Sequence, residues 1–277
     1  MTRQSRSGRV GLDMRAAKAR LQRRLLDHPS AYLFCRRAYG LGRYLLRRPH
    51  EADFACFAHF RDRDGLFLDV GANSGASALS FRMFHRKSPI LSLEPNPFHE
   101  KDLKLLARFV PRFSYMICGA GEKNERLTLY VPVYREVPLT GEASLIRESI
   151  SGSWTLAQLG EEPADEEFGV IEVRVEIRRL DDLRLSPDFV KIDVEGSELS
   201  ILRGLRCTLE AHEPILLIEA ASHATEIREF LSPLGYDAFT YRPAEDRLVP
   251  HVNEPTTNLF FIPRGTTFTS MTDAAVA

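Results

Sequence analysis

Cysteine is scarce in this chain. The four present (Cys35, Cys56, Cys118 and Cys207) are scattered, and no Cys-x-x-Cys pair occurs. That spacing excludes a zinc ribbon and a disulfide framework, and it suits a reducing, cytoplasmic compartment. No apolar run is long enough to span a bilayer as a helix. The apolar h-region of a secretory leader is missing from the start of the chain. No stretch reads Gly-x-Gly-x-x-Gly, so the dinucleotide fingerprint is absent as well.

Charge of one sign is also missing locally. Residues 1–50 hold thirteen Lys and Arg against two acids, Asp13 and Asp27, for a net charge near +11. The remainder holds 37 − 13 = 24 bases against 38 − 2 = 36 acids, near −12, so the overall formal charge of −1 hides a strong asymmetry. Residues 1–11 read as a tail, Leu12 to Leu26 shows helical spacing of apolar residues between arginines, and a second helical stretch is predicted after Pro29. A basic helical segment over 1–62 suits either a solvated brace or peripheral contact with an anionic membrane or a phosphorylated substrate. No nucleic-acid recognition motif accompanies the charge, so no nucleic-acid partner is expected.

From residue 66 the text alternates apolar runs with helical stretches. Strands are predicted at 66–70, 89–93, 113–117, 188–193 and 214–219, and helices at 75–86, 97–109, 197–211 and 223–233. This rhythm predicts an α/β domain over 63–265 with a mostly parallel sheet. Tyr236–Tyr241 and Asn258–Ile262 follow without a helix between them, which predicts an antiparallel hairpin closing the sheet edge. Leu127–Val133 and Ile171–Ile177 alternate like strands. Between them an irregular insertion over 134–170, with Ser144 and Trp154, reads as a substrate-side flap. Residues 266–277 read as a disordered tail.

The run Phe67-Leu68-Asp69-Val70-Gly71-Ala72-Asn73-Ser74-Gly75 is a strand breaking into a glycine turn behind an acid. A second strand, Ile90–Leu93, ends in Glu94. In open α/β sheets ligands bind outside the carboxyl ends of the strands. An acid at Asp69 would repel a pyrophosphate but attract the cationic amine and sulfonium of S-adenosylmethionine, directly or through water. Gly71 and Gly75 permit close backbone approach, the following helix turn offers N–H groups to a carboxylate, and Glu94 is placed to accept both ribose hydroxyls. An NAD-linked oxidoreductase and a cofactor-binding scaffold without turnover are the alternatives.

With Glu94-Pro95-Asn96-Pro97, Arg179-Leu180-Asp181-Asp182 and Val190-Lys191-Ile192-Asp193-Val194-Glu195-Gly196-Ser197-Glu198, the chain resembles the FkbM-type methyltransferases over residues 65–263. The resemblance implies a Rossmann-like seven-stranded sheet with helices on both faces and its last strand antiparallel. It also implies methyl transfer to an oxygen of a sugar, polyketide or similar metabolite or glycan precursor. Cofactor contacts are then expected from Asp69, Gly71, Ala72, Asn73, Gly75, Glu94, Pro95 and Asn96, with Cys118 and Gly119 at the adenine and Ser144 from the flap.

Strand alternation puts Val190, Ile192 and Val194 on one face and Lys191, Asp193 and Glu195 on the other. Asp193 and Glu195 are therefore the candidate catalytic pair, with Glu219 placed to join them. Three readings stay open: a carboxyl of raised pKa acting as base, a pair holding a divalent cation, which is the least favoured, or an Asp193 paired with Lys191 or capping a helix. His85, His99 and His223 are weaker candidates.

Overall fold

The computed structural model describes residues 28–61, 64–135, 137–150, 168–194, 196–220, 223–252 and 254–267. The elements, in chain order, begin with helix α1 (Pro29–Leu45), a 3₁₀ turn at Ala52–His59, β1 (Leu66–Val70), α2 (Ala76–Phe84), β2 (Ile90–Leu93), α3 (Glu100–Phe109) and β3 (Phe113–Met116). Then come β4 (Gly119–Gly121), β5 (Glu125–Tyr134), β6 (Val137–Pro138), β7 (Phe168–Arg179), β8 (Pro187–Ile192), α4 (Glu198–Gly204) and α5 (Arg206–His212). β9 (Ile215–Glu219), α6 (Ala224–Leu231), β10 (Tyr236–Arg242), β11 (Arg247–Pro250) and β12 (Asn258–Pro263) complete the chain. The described residues divide between two compact units, one within Met1–Gly42 and Thr128–Val173, the other within Arg43–Leu127 and Arg174–Ala277.

The larger unit is built on an eight-stranded sheet in the order β11-β10-β12-β9-β8-β1-β2-β3. β3, β2, β1, β8 and β9 run parallel. β12 enters antiparallel between β9 and β10, and β11 pairs antiparallel with the outer side of β10. This is the expected mostly parallel α/β sheet, with the antiparallel pairing of the two late strands in place, but it has eight strands where seven were expected because β11 adds to the outer side of β10. The sheet edge differs from expectation. The final strand is interior, and the edge is β11, a four-residue strand with no sequence signal beyond a turn at 243–246. The predicted helix over 197–211 is two helices, divided at the buried Leu205.

Period-2 alternation sorts each strand's residues between two cores. Leu68, Val70, Val190, Ile192, Leu216 and Ile218 pack on one face with α4, α5 and α6. Phe67, Ile90, Phe189, Leu217 and Phe260 pack on the other with α2, α3 and the Ala52–His59 turn. The second face is rich in aromatic rings. Phe67 stacks on Phe81 with centroids 3.9 Å apart. Phe57 meets Phe67, Phe81, Phe189 and Phe260 at 5.1–6.0 Å in edge-to-face contacts. That one ring fastens the segment preceding β1 to the sheet. Among the described residues no helix is long and apolar enough to cross a membrane.

In the smaller unit β5 and β6 form an antiparallel pair. Its core joins Tyr134, Val137 and Leu139 with Phe168. Arg147 pairs with Glu172 at 3.2 Å. Residues 151–167, including Trp154, lie outside the described residues, as do 1–27 and 268–277.

Truncating Phe57, which is fully buried, removes the centre of that aromatic cluster. Phe57→Ala is expected to cost about 3–5 kcal/mol of unfolding free energy in a denaturant titration. A loss below about 1 kcal/mol would show that the segment is not anchored this way.

Candidate functional site

Three strand ends are stitched together where β1 turns. Gly71 and Ala72 each donate a backbone N–H to the Leu93 carbonyl at 3.0 Å, and Asp193 donates its N–H to Val70 at 3.0 Å. Gly71 has φ of +85°, and a Cβ there would sit 1.8 Å from the Asp193 carbonyl oxygen. Both the positive φ and the close approach of β8 therefore demand glycine. Gly75 repeats the positive φ at the start of α2.

The second acid holds this turn. Glu94 accepts the Asn73 N–H on Oε2 at 2.7 Å and the Asn96 N–H on Oε1 at 2.8 Å. Asn73 is itself left-handed, with φ of +50°. Asn96 is buried and caps the Pro97–His99 turn through its side chain, which accepts the Phe98 N–H. Burial pushes the Glu94 carboxyl up to about 7, against the pull of its two backbone donors, with Asp69 and Asp193 adding to the rise.

Asp69 is fully enclosed. Ser77 and Ser92 both donate hydroxyls to its Oδ2, at 2.7 and 2.8 Å. Its Oδ1 is buried with no hydrogen-bond partner among the described residues. The sequence pattern expects ligand contact here, direct or through water. In this arrangement the carboxylate lies beneath the turn, and one acceptor atom remains for a small donor. Burial raises its pKa, moderated by Lys191 and the two serines.

Register explains this neighbourhood. Asp69 pairs with Ser92 on one side and Lys191 on the other, so the three side chains stand abreast on the aromatic face. Lys191 is buried, and its Nζ lies 2.5 Å from Asp193 Oδ2. Burial pushes the ammonium down, but the carboxylates of Asp193, Asp69 and Glu51 outweigh it and the net shift is upward. Burial likewise pushes Asp193 up, but Lys191 and a hydrogen bond from Glu219 outweigh it and hold Asp193 below the usual carboxylate range. Of the three readings of Asp193, pairing with Lys191 is the one visible in this geometry. A raised pKa is not what Asp193 has.

The same end of the sheet gathers residues that sequence reasoning did not assign. His50 bonds to Ser80 of α2, and its Nε2 is 3.5 Å from Glu51 Oε1. Burial, then Lys191, lowers the His50 imidazole to about 3, so it is neutral near pH 7. Asn258, opposite Glu219 in register, donates to Glu51 and Asp53 at 3.1 and 2.9 Å. Ser92 was recoverable by pairing β1 with β2. Nothing in the sequence placed His50, Glu51 or Asn258 here.

Asp69, Gly71, Ala72, Asn73, Gly75, Glu94, Asn96 and Asp193 thus converge. Pro95 faces Gly119, whose Cβ would meet it at 3.5 Å. Cys118 is buried just after β3. Ser144 lies in the smaller unit, where its backbone bridges Tyr130 and its Oγ accepts the Ile146 N–H at 3.0 Å. Glu195 lies outside the described residues. His85 bonds to the Phe57 carbonyl at 2.8 Å in the core, His99 is buried, and His223 is 3.9 Å from Glu198. Among the described residues no group of three or more His, Cys, Asp or Glu is placed to hold a metal.

A family model described as the methyltransferase FkbM domain matches residues 69–238. The chain is 30% identical over 158 residues to methyltransferase sdnD of Sordaria araneosa and 29% identical over 157 residues to methyltransferase 1 of Beauveria bassiana (strain ARSEF 2860). These matches cover 50% and 51% of this chain and 59% of each relative, so the chain spans little over half the length of the curated relatives it matches. Among solved structures, a methyltransferase FkbM from Methylobacillus flagellatus KT is similar at a TM-score of 0.47 and 21% identity, over 73% of this chain and 44% of that one.

Glu94 gives a pH dependence of stability with a definite sign. Its folded pKa is above the ordinary 4.5, so its contribution is full at low pH and is lost as pH rises from about 4.5 through about 7. Glu94→Gln is expected to flatten the fall in unfolding free energy between about pH 5 and 8 by roughly 2–3 kcal/mol. An unchanged slope in that window would mean that Glu94 is solvated.

Proposed function

The chain belongs to the FkbM methyltransferase family, and on that premise we propose that it binds S-adenosylmethionine and methylates a hydroxyl of a small metabolite or glycan precursor. The observation that carries this reading is the pair of acids at adjacent strand ends around a turn that only glycine can make. Bound there, the cofactor supplies an electrophilic methyl group on a sulfonium.

The residues present fit that group. Glu94, raised to about 7 by burial and holding two backbone donors among the described residues, gains from hydroxyl donors such as those of a ribose. The unpartnered buried Oδ1 of Asp69 is an acceptor suited to an ammonium reached through a water. Asp193, with a side chain 28% exposed, presents a carboxylate that Lys191 keeps ionised. It accepts a hydrogen bond from an incoming hydroxyl and orients the oxygen lone pair. Its depressed pKa makes it a weak base, so the hydroxyl proton would pass late, through the Asp193 carboxylate to solvent, as the O–C bond forms and the C–S bond breaks, and positioning carries most of the acceleration. Glu195, the second candidate catalytic acid, stays in the reading through its place in the matched motif. So does Ser144 as a residue of the insertion. The four free cysteines support a reducing, cytoplasmic setting.

Calorimetric titration tests the reading. S-adenosylhomocysteine is expected to bind, NAD is not, and Glu94→Ala is expected to weaken the first by at least about tenfold without unfolding. Affinity unchanged in that variant would place the ligand elsewhere. Asp193→Asn is expected to lower turnover by more than it lowers S-adenosylhomocysteine affinity. The reverse pattern would make Asp193 a cofactor or structural residue.

A further inference from the structure

We infer that His50 and Glu51, ahead of the first strand, form the hydrogen-accepting wall of the acceptor side, which takes uncharged or cationic polyols and turns away phosphate- or carboxylate-bearing ones. This rests on the proposed methyltransferase reading, in which the acceptor lies beside Asp193.

The protonation pattern follows from hydrogen-bond bookkeeping. Ser80 Oγ donates its single hydrogen to the Ala76 carbonyl at 2.8 Å. It receives the His50 backbone N–H at 2.9 Å, and His50 Nδ1 lies 3.0 Å away. A hydroxyl has one hydrogen and two lone pairs, so Nδ1 must be the donor in that contact. The network therefore assigns the Nδ1–H tautomer and leaves Nε2 bare. The imidazole is held in place by the Phe54 ring, 4.8 Å away between centroids.

Bare Nε2 faces Glu51 Oε1 at 3.5 Å. Two acceptors look at one another, and among the described residues no donor lies between them. Asn258 cannot supply one, because both of its amide hydrogens go to Glu51 Oε2 and Asp53 Oδ2. The two side chains are 25% and 33% exposed, so a ligand can reach them. A group rich in donors fits, whether adjacent hydroxyls or an ammonium. An anionic substituent meets carboxylates at Glu51 and Asp193, and the Lys191 ammonium nearby is already engaged by Asp193. Glu51 receives its hydrogen bond from Asn258, which stands opposite Glu219 at the end of β9, and Ile218 pairs with Ile192 just before Asp193, so this wall lies at the same strand ends as the proposed transfer.

The experiment is ¹⁵N NMR of the histidine rings in the full chain loaded with S-adenosylhomocysteine, at neutral pH. The probes are glycerol, tris(hydroxymethyl)aminomethane and glycerol 3-phosphate. The expected result is a bare Nε2 on His50 whose resonance moves with the neutral and cationic polyols and not with the phosphate. Glu51→Gln is expected to weaken the response to the cationic polyol by about tenfold. An Nε2–H tautomer, an Nε2 that answers to none of the probes, or one that answers to glycerol 3-phosphate overturns the inference. If S-adenosylhomocysteine binds in the same sample, the proposed function survives that failure. A chain that does not bind it removes the premise and the inference together.

Discussion

A fully buried ammonium organises this end of the sheet. Lys191 stands between Asp69 on the neighbouring strand and Asp193 two residues on. Stripping water from a lysine costs several kcal/mol, and only close carboxylates with good geometry offset that cost. Here Asp193 is within 2.5 Å, and Asp69 and Glu51 add their fields. The dependence is mutual, because without Lys191 the buried Asp69 and the half-buried Asp193 would lose their counter-charge. Lys191 helps keep Asp193 charged, and it adds to the burial that keeps His50 neutral.

The face that carries Lys191 is divided along the strand direction. Toward the amino ends of the strands it is aromatic, with Phe57, Phe67, Phe81, Phe189 and Phe260 in one cluster. Toward the carboxyl ends the same face turns polar, with Asp69 level with Ser92 and Lys191, and Glu219 level with Asn258. The aromatic half supplies rigidity at the price of any freedom in the turn that precedes β1. That rigidity holds His50 and Glu51 beside acids that lie more than a hundred residues further along the chain. Function at the strand ends is thus tied to packing beneath them, through residues of the same strand two positions apart.

The sheet was legible because its strands are apolar, short and separated by helices of ordinary length. Phe67–Gly75 and Glu94 were legible because a turn of this kind constrains residue identity at each step. Much of the wiring was not. Asp69 reads in sequence as a ligand contact, yet Ser77 and Ser92 enclose it, and hydroxyls near an acid leave no pattern to find. His50 and Glu51 sit in a charged, aperiodic stretch whose place depends on Phe57 packing many residues from any motif. β11 is four residues long, paired on one side, and too short to alternate visibly. The division of the helix at Leu205 follows from burial, which local propensity does not encode.

The most direct measurement is an NMR titration of the Lys191 side chain, following its ¹³Cε and ¹⁵Nζ resonances against pH. A lysine enclosed by three carboxylates is expected to stay an ammonium up to at least about pH 10. A midpoint near or below neutrality, as an uncompensated buried lysine shows, would mean that the acids do not surround it. The electrostatic account of the site would then be wrong.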